Sequence, residues 1–119
     1  MNTSHTRLRL NEVVRIAGRS RRVTELSLQN IPAIRKRLID IAESGGTITY
    51  GQLIKDLKLS YAQNGLGPVL DLLSEDCARR DEPSLAAVVV SDKTGEVGDS
   101  FTGDPVAERQ LVFEHWSVR

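Results

Sequence analysis

The chain has 119 residues, of which 39% are apolar and 27% charged, and its 16 basic and 16 acidic side chains give a formal net charge of zero. This composition is typical of one small globular domain and excludes a uniformly basic nucleic-acid coat or an acidic solvating tail. With Cys77 as the single cysteine and only His5 and His115 as histidines, we expect no disulfide framework, metal site or cofactor.

The chain contains no apolar run that approaches the length of a membrane span. Its first ten residues also lack the apolar core of a secretory signal. We therefore expect a cytoplasmic protein, bacterial or phage-borne in style, with no membrane partner.

The first 30 residues predict a strand or a short helix, a polar turn, and then a second short element. Asn30 before Ile31 and Pro32 predicts a helix start, because Asn caps helices well and Pro is tolerated in the first turn. Apolar residues then recur at three- and four-residue spacing, which is one helical face. The glycines at positions 45 and 46 predict its end.

Two further helices follow, separated by a short turn. Thr49, followed three residues later by Gln52, fits a capping box and predicts a helix that begins at Tyr50. A third apolar periodicity predicts a helix from about Ala62 to about Arg80. Two helices with a short turn between them predict a helix-turn-helix.

The last third of the chain predicts a strand, a hairpin and a final helix. Residues 85–90 are an apolar run of β-formers, which predicts a buried strand, and a turn with a returning segment over 91–101 predicts a wing. Asp104 before Pro105 predicts a capped helix. The apolar periodicities together predict a core that contains Leu38, Ile41, Leu53, Leu57, Leu66, Leu70, Leu73, Val88 and Val90.

The order of these elements predicts an α+β, mainly helical fold. It is the order of a winged helix-turn-helix with a short β-hairpin wing and extra N- and C-terminal elements, in which the helix after the turn can enter a DNA groove. We expect a basic N-terminal segment over 1–30, a winged-helix domain over 31–104 and a C-terminal helix over 105–119.

A family resemblance supports this prediction. The segment Thr47-Ile48-Thr49-Tyr50-Gly51-Gln52-Leu53 resembles the Thr-Tyr-Gly segment of the DNA-binding domain of alkylguanine-DNA alkyltransferases and alkyltransferase-like proteins. Residues 55–57, 62–67, 88–90 and 94–98 are similar to further motifs of that family in the same order. The resemblance covers residues 31–103 and implies a winged-helix DNA-binding domain.

The departures from this family concern its chemistry. The nucleophilic Pro-Cys-His-Arg of the family corresponds to Ala86-Ala87-Val88-Val89, so the resemblance implies a scaffold without alkyl transfer. Asn64 stands where the family has an Arg that intercalates into the duplex. This shorter, uncharged side chain argues against nucleotide flipping.

The charges of the chain are unevenly distributed. Residues 1–40 hold nine basic and three acidic side chains, a net charge of +6, and the other 79 residues hold seven and 13, a net charge of −6. Two interpretations stay open. Either the basic segment contacts nucleic acid, or the two halves neutralise one another within a chain or between two chains.

The predicted DNA contacts combine cations with polar side chains of the helix-turn-helix. Polar residues at the turn and at the start of the following helix can contact bases or phosphates, and a tyrosine hydroxyl and basic side chains can contact phosphates. Each is also explained as a capping, packing or solvated residue. The predicted contacts are Arg19, Arg21, Arg22, Arg35, Lys36, Arg37, Tyr50, Ser60, Tyr61, Gln63 and Asn64.

We therefore expect a non-catalytic winged-helix DNA-binding protein, accessory or regulatory, with double-stranded DNA as its partner. The alternative is a protein-interaction module or self-associating adaptor on the same scaffold, with a protein partner or a second copy of itself. An enzyme is not expected, because no nucleophile–base pair, paired carboxylates or phosphate loop is evident. Cys77 lies on an apolar helix face beside Glu75 and Asp76, which disfavour a thiolate.

Overall fold

A computed structural model describes residues 7–16, 18–61, 63–92 and 104–117, with only the backbone described for residues 63 and 64. These ranges form an α+β, mainly helical fold, as predicted. In chain order the elements are β1 (Val13–Ile16), β2 (Arg19–Arg22), α1 (Glu25–Glu43), β3 (Ile48–Thr49), α2 (Tyr50–Leu57), α3 (Gln63–Arg79), a 3-10 helix (Leu85–Val88), β4 (Val89–Val90) and α4 (Pro105–Trp116).

Strands β1 and β2 form an antiparallel hairpin whose two faces differ. Val14 lies opposite Arg21 on a face that packs against the body of the protein, whereas Val13 lies opposite Arg22 on the exposed face. The alternation follows from the two-residue period of a strand. Gly18 in the turn has a φ of +80°, which a residue without a Cβ adopts without strain.

Helix α1 begins six residues earlier than its apolar spacing predicts, so the start at Ile31 was wrong. The N-cap is Thr24, whose hydroxyl accepts a hydrogen bond from the Ser27 amide while the Ser27 hydroxyl accepts one from the Thr24 amide. This capping box outweighs the signal from Asn30 and leaves Pro32 inside the helix. The boundary drawn between residues 30 and 31 therefore falls within α1.

Helices α2 and α3 agree with their predicted bounds. Thr49 caps α2, since its hydroxyl accepts a hydrogen bond from the Gln52 amide at 3.1 Å, although the Gln52 side chain binds Asp56 instead of completing a capping box. Lys58 ends α2 in the left-handed conformation, with a φ of 53°. A short turn then leads into α3.

The segment 85–90 is a strand for only its last two residues, which corrects the prediction. Residues 85–88 form a 3-10 helix, and Val89 and Val90 of β4 pair in parallel with Ile48 and Thr49 of β3. The whole segment is buried, so a continuous apolar run satisfied burial without requiring a strand. Of the predicted wing, residues 93–101 lie outside the described part of the chain.

Helix α4 closes the fold over this segment and begins where predicted. The Asp104 carboxylate accepts hydrogen bonds from the amides of Val106 and Ala107. The Glu108 carboxylate accepts one from the Ser84 amide at 2.6 Å, and the Arg109 side chain donates one to the Ala87 carbonyl at 2.9 Å. These two bonds tie α4 to the 3-10 helix.

The core lies between α1, α3, the 3-10 helix and α4. Seven of the nine predicted core residues are buried, whereas Ile41 and Leu57 are half-buried at its edge. Residues 23, 85 and 112 are fully buried additions that the helical periodicities did not identify. No helix within the described ranges combines the length and apolarity that crossing a membrane requires.

Candidate functional site

The predicted DNA-contact residues are distributed over several places, and the first group is an ion-pair cluster under the hairpin. The Asp71 carboxylate of α3 accepts a hydrogen bond from Arg21 at 2.9 Å and lies 3.4 Å from Arg19. Asp71 is buried, so its charge is balanced mainly by these two guanidinium groups. The cluster fastens the inner face of the hairpin to α3.

Arg35 lies at a second place, inside the protein. Its guanidinium donates two hydrogen bonds to the Glu82 carboxylate, at 2.7 and 3.0 Å, and lies over the Trp116 ring at 5.5 Å. Burial acts to lower the pKa of Arg35, but the hydrogen bonds and charge of Glu82 outweigh it and the pKa is raised. The arrangement joins α1, the loop after α3 and α4.

The neighbours of Arg35 in the basic run face other directions. Arg37 forms an ion pair with Asp56 of α2 at 3.1 Å. Lys36 is exposed, as is Arg22 on the hairpin. Of the six predicted cations, these two have no ion pair with the described residues.

Three of the predicted residues do share one cleft, of about 300 Å³, between β2 and the beginnings of α1 and α3. Arg21, Arg22 and Tyr61 line it together with several hydroxyl groups, including that of Thr24. The Tyr61 hydroxyl accepts a hydrogen bond from the Asn30 side chain at 3.3 Å. The cleft therefore combines basic and hydroxyl groups near the start of α3.

The remaining predicted contacts give no second cluster. Tyr50 is half-buried at the start of α2 and packs against the core, whereas Ser60 is exposed in the turn. The side chains of Gln63 and Asn64 lie outside what the structure describes.

A larger open groove, of about 610 Å³, lies at the other end of α3. Its apolar lining comes from Ala78, Pro83 and Leu111, and Leu111 is 51% exposed. Its polar lining comes from the loop after α3 and from one side of α4: Asp81, Glu82, Glu108, Glu114 and His115. We call this surface the acidic groove.

The four carboxylates of the acidic groove have two different roles. Glu82 and Glu108 are engaged in the fold, by Arg35 and by the Ser84 amide. Asp81 and Glu114 are exposed and form no ion pair with any described residue, although Glu114 accepts a hydrogen bond from Gln110 at 3.3 Å. The groove thus offers two exposed carboxylates, neither paired with a cation of the described residues, beside an exposed leucine.

The exposed face of the hairpin has the opposite character. Val13, Arg15, Ser20 and Arg22 are exposed on the face of the hairpin opposite the one that binds Asp71, and we call them the outer hairpin face. Ser20 and Arg22 also border the cleft between β2 and α3. Arg15 donates a hydrogen bond to the Ser20 hydroxyl at 3.3 Å. The side chains of Arg15 and Arg22 are both exposed. No acidic residue occurs in β1 or β2.

Cys77 is a poor candidate for a reactive thiol. It is fully buried on α3, and burial raises the pKa of its thiol from 9.0 to about 11. The thiolate is therefore scarce at neutral pH. Ala86 and Ala87 are buried in the 3-10 helix.

Sequence reasoning missed the acidic groove because its lining comes from three separate segments. The negative balance after residue 40 was a signal, but it did not indicate where the acids meet. Spacing on α4 was a second signal, because Glu108, Leu111 and His115 are three and four residues apart and share one side. No group of three or more His, Cys, Asp or Glu in the described residues has the arrangement of a metal site.

Comparisons with known proteins add no relative. No family model matches the chain, and neither the curated proteins nor the solved structures give a match. The geometry of these surfaces is therefore the basis for a functional interpretation.

Proposed function

We propose that this chain is a non-catalytic protein-interaction module and that the acidic groove is its binding surface. The observation that carries the proposal is the combination of half-exposed Leu111 with the exposed carboxylates of Asp81 and Glu114 in one groove. An apolar anchor surrounded by polar groups is the usual organisation of a protein interface.

The state of the basic residues favours this function over DNA binding. Four of the six cations predicted to contact phosphate, among them Arg35, form ion pairs within the chain. DNA affinity depends on cations that neutralise phosphates, and uncompensated acids near the duplex reduce it. A protein ligand has no such requirement.

The chemistry of the groove specifies the class of ligand. Carboxylates near an apolar surface favour a segment that carries arginine or lysine together with an aliphatic side chain. The aliphatic group would bury Leu111, and the cations would pair with Asp81 and Glu114. Charge complementarity of this kind increases the association rate and selects partners more than it increases affinity.

A labelled synthetic peptide of alternating arginine and valine tests this proposal by fluorescence anisotropy. We expect saturable binding that weakens with added salt, and no binding of a glutamate–valine peptide. The double variant Leu111→Gln, Glu114→Gln should lose the interaction, whereas Lys36→Gln, Glu43→Gln, on the exposed side of α1, should retain it. Equal binding by both double variants would contradict the proposal.

DNA binding is the second candidate, and the cleft lined by Arg21, Arg22 and Tyr61 is the observation that favours it. On this proposal the fold acts as a winged helix, and α3 approaches the duplex with its first turn while Arg22 contacts a phosphate. Titration of random duplex DNA at two salt concentrations tests it. Arg22→Gln should weaken binding and flatten the slope of log K against log salt by about 1. Absence of binding at low salt would remove this candidate.

A further inference from the structure

The two surfaces described above complement one another in charge and in apolar character. The acidic groove offers Asp81 and Glu114 beside Leu111, and the outer hairpin face offers Arg15 and Arg22 beside Val13. Leu111 and Val13 are 51% and 52% exposed. Each surface thus has two exposed charged groups that form no ion pair within the described part of the chain, and one exposed aliphatic side chain.

We propose that the acidic groove receives the outer hairpin face of a second copy of this chain, in a head-to-tail arrangement. This inference rests on the proposed function, because it names the partner of the same groove. The chain as a whole is neutral, yet its first 40 residues have a net charge of +6 and the rest −6. A second copy therefore carries the basic and apolar segment that the groove favours.

The attachment of the hairpin to its own chain favours an intermolecular contact. The inner face of the hairpin is held on α3 by Asp71, which leaves the opposite face exposed. The segment before β1 is also fastened to α3, through the ion pair of Glu12 with Arg79. These contacts fix the hairpin on its own chain and leave its outer face available to a second copy.

The nearby charges support this pairing. Among the described residues, the cations closest in sequence to the groove are already engaged: Arg79 binds Glu75, Arg80 binds Asp76, and Arg109 binds the Ala87 carbonyl. On the hairpin, Arg15 and Arg22 occupy diagonal positions of the ladder, about 7–8 Å apart between their Cα atoms. Two long side chains at that separation can reach two carboxylates.

The arrangement has a consequence for assembly. A hairpin in a groove is a heterologous contact, which leaves a free groove at one end of the pair and a free hairpin at the other. Association should therefore continue with rising concentration instead of stopping at a closed dimer. Since both partners are exposed ionic surfaces, added salt should weaken it.

Complementary variants of the full chain, measured by sedimentation velocity, test the proposal. The hairpin variant is Arg15→Gln, Arg22→Gln, and the groove variant is Leu111→Gln, Glu114→Gln. Each should remain monomeric at concentrations where the unmodified chain associates, while circular dichroism confirms that each is folded. An equimolar mixture should form one-to-one complexes and nothing larger, because only one intact hairpin and one intact groove remain for each pair.

Different results test the head-to-tail contact and the proposed function. Lys36→Gln, Glu43→Gln should associate as the unmodified chain does. A chain that stays monomeric, or variants whose mixture does not associate, would overturn the head-to-tail proposal. If the arginine–valine peptide still binds the groove, the interaction module stands with a partner other than this chain; if it does not, both proposals fail.

Discussion

In both the hairpin and the acidic groove, some charged side chains are engaged in the fold and others are exposed, but the structural cause differs between the two regions. In the hairpin, Arg19 and Arg21 face inward to Asp71 while two other arginines face outward, and strand alternation alone produces this. In the groove, Glu82 and Glu108 are engaged in the fold, while Asp81 and Glu114 are exposed. Each region therefore uses some of its charged side chains for its own attachment and leaves others exposed.

The largest expected effect comes from a core change beneath both regions. Leu70 is buried in the middle of α3, which holds the hairpin through the adjacent Asp71 and lines the groove near its C-terminal end through Ala78. Leu70→Ala should lower the free energy of unfolding by about 2–5 kcal/mol, measured by urea denaturation. Leu111→Ala, at an exposed position, is the control and should change it by less than about 0.5 kcal/mol. A loss below about 1 kcal/mol for Leu70→Ala would contradict the packing of α3.

A second pair of variants compares the buried ion pair that holds the loop of the groove with an exposed ion pair. The side chains of Arg35 and Glu82 are 9% and 14% exposed, whereas those of Arg37 and Asp56 are 36% and 26% exposed. Arg35→Met leaves Glu82 without its partner and should cost about 3 kcal/mol. Arg37→Met should cost about 1 kcal/mol or less in the same denaturation experiment, because solvent screens the exposed pair. Similar losses of unfolding free energy in the two variants would contradict the distinction between the buried ion pair of Arg35 and the exposed one of Arg37.

Asp71→Asn weakens the attachment of the hairpin to α3 and should lower the stability by less than Arg35→Met does. The amide cannot balance two guanidinium groups, but Arg19 and Arg21 can turn toward water, so we expect a loss of about 1–2 kcal/mol. Amide hydrogen exchange should accelerate in β1 and β2 and remain unchanged in α4. Uniform acceleration throughout the chain would contradict a role confined to the hairpin.

The smallest effect concerns the link before β1. Hydrogen bonds from Arg79 lower the pKa of Glu12 from its ordinary 4.5 to about 2. A carboxylate with a lowered pKa in the folded state stabilises that state fully above about pH 4.5, and the contribution disappears as the pH falls through about 2. The stability difference between the unmodified chain and Glu12→Gln should therefore shrink over this range. A difference that does not change with pH would show that the ion pair adds nothing.

The sequence predicted those parts of the fold that depend on local signals. The bounds of α2 and α3 and the start of α4 followed from capping residues and apolar periodicity, and most of the core followed with them. The start of α1 was misplaced because Ser27, which is not the usual Glu or Gln at that position, completes the capping box with Thr24. The 3-10 helix was read as a strand because both are buried apolar runs.

The candidate site was harder to predict because it depends on contacts that are distant in sequence. Arg35 resembles any other cation of a basic run, and only the approach of Glu82, 47 residues later, removes it from the surface. Likewise, Asp81 and Glu114 come from different elements and meet only when α4 closes over the loop. The difference between the two faces of the hairpin could have been predicted from the sequence, since alternate residues of a strand face opposite sides.

The most direct test of the central claim is to locate the second copy on the groove by paramagnetic relaxation. A nitroxide label at Leu10→Cys, just before β1, is mixed with isotopically labelled unmodified chain; buried Cys77 should not take up the label. Head-to-tail docking predicts signal loss at the amides of residues 81–83 and 108–115, and none there from a label at Glu43→Cys. Signal loss centred on any other surface, or none while the chain associates, would contradict the account.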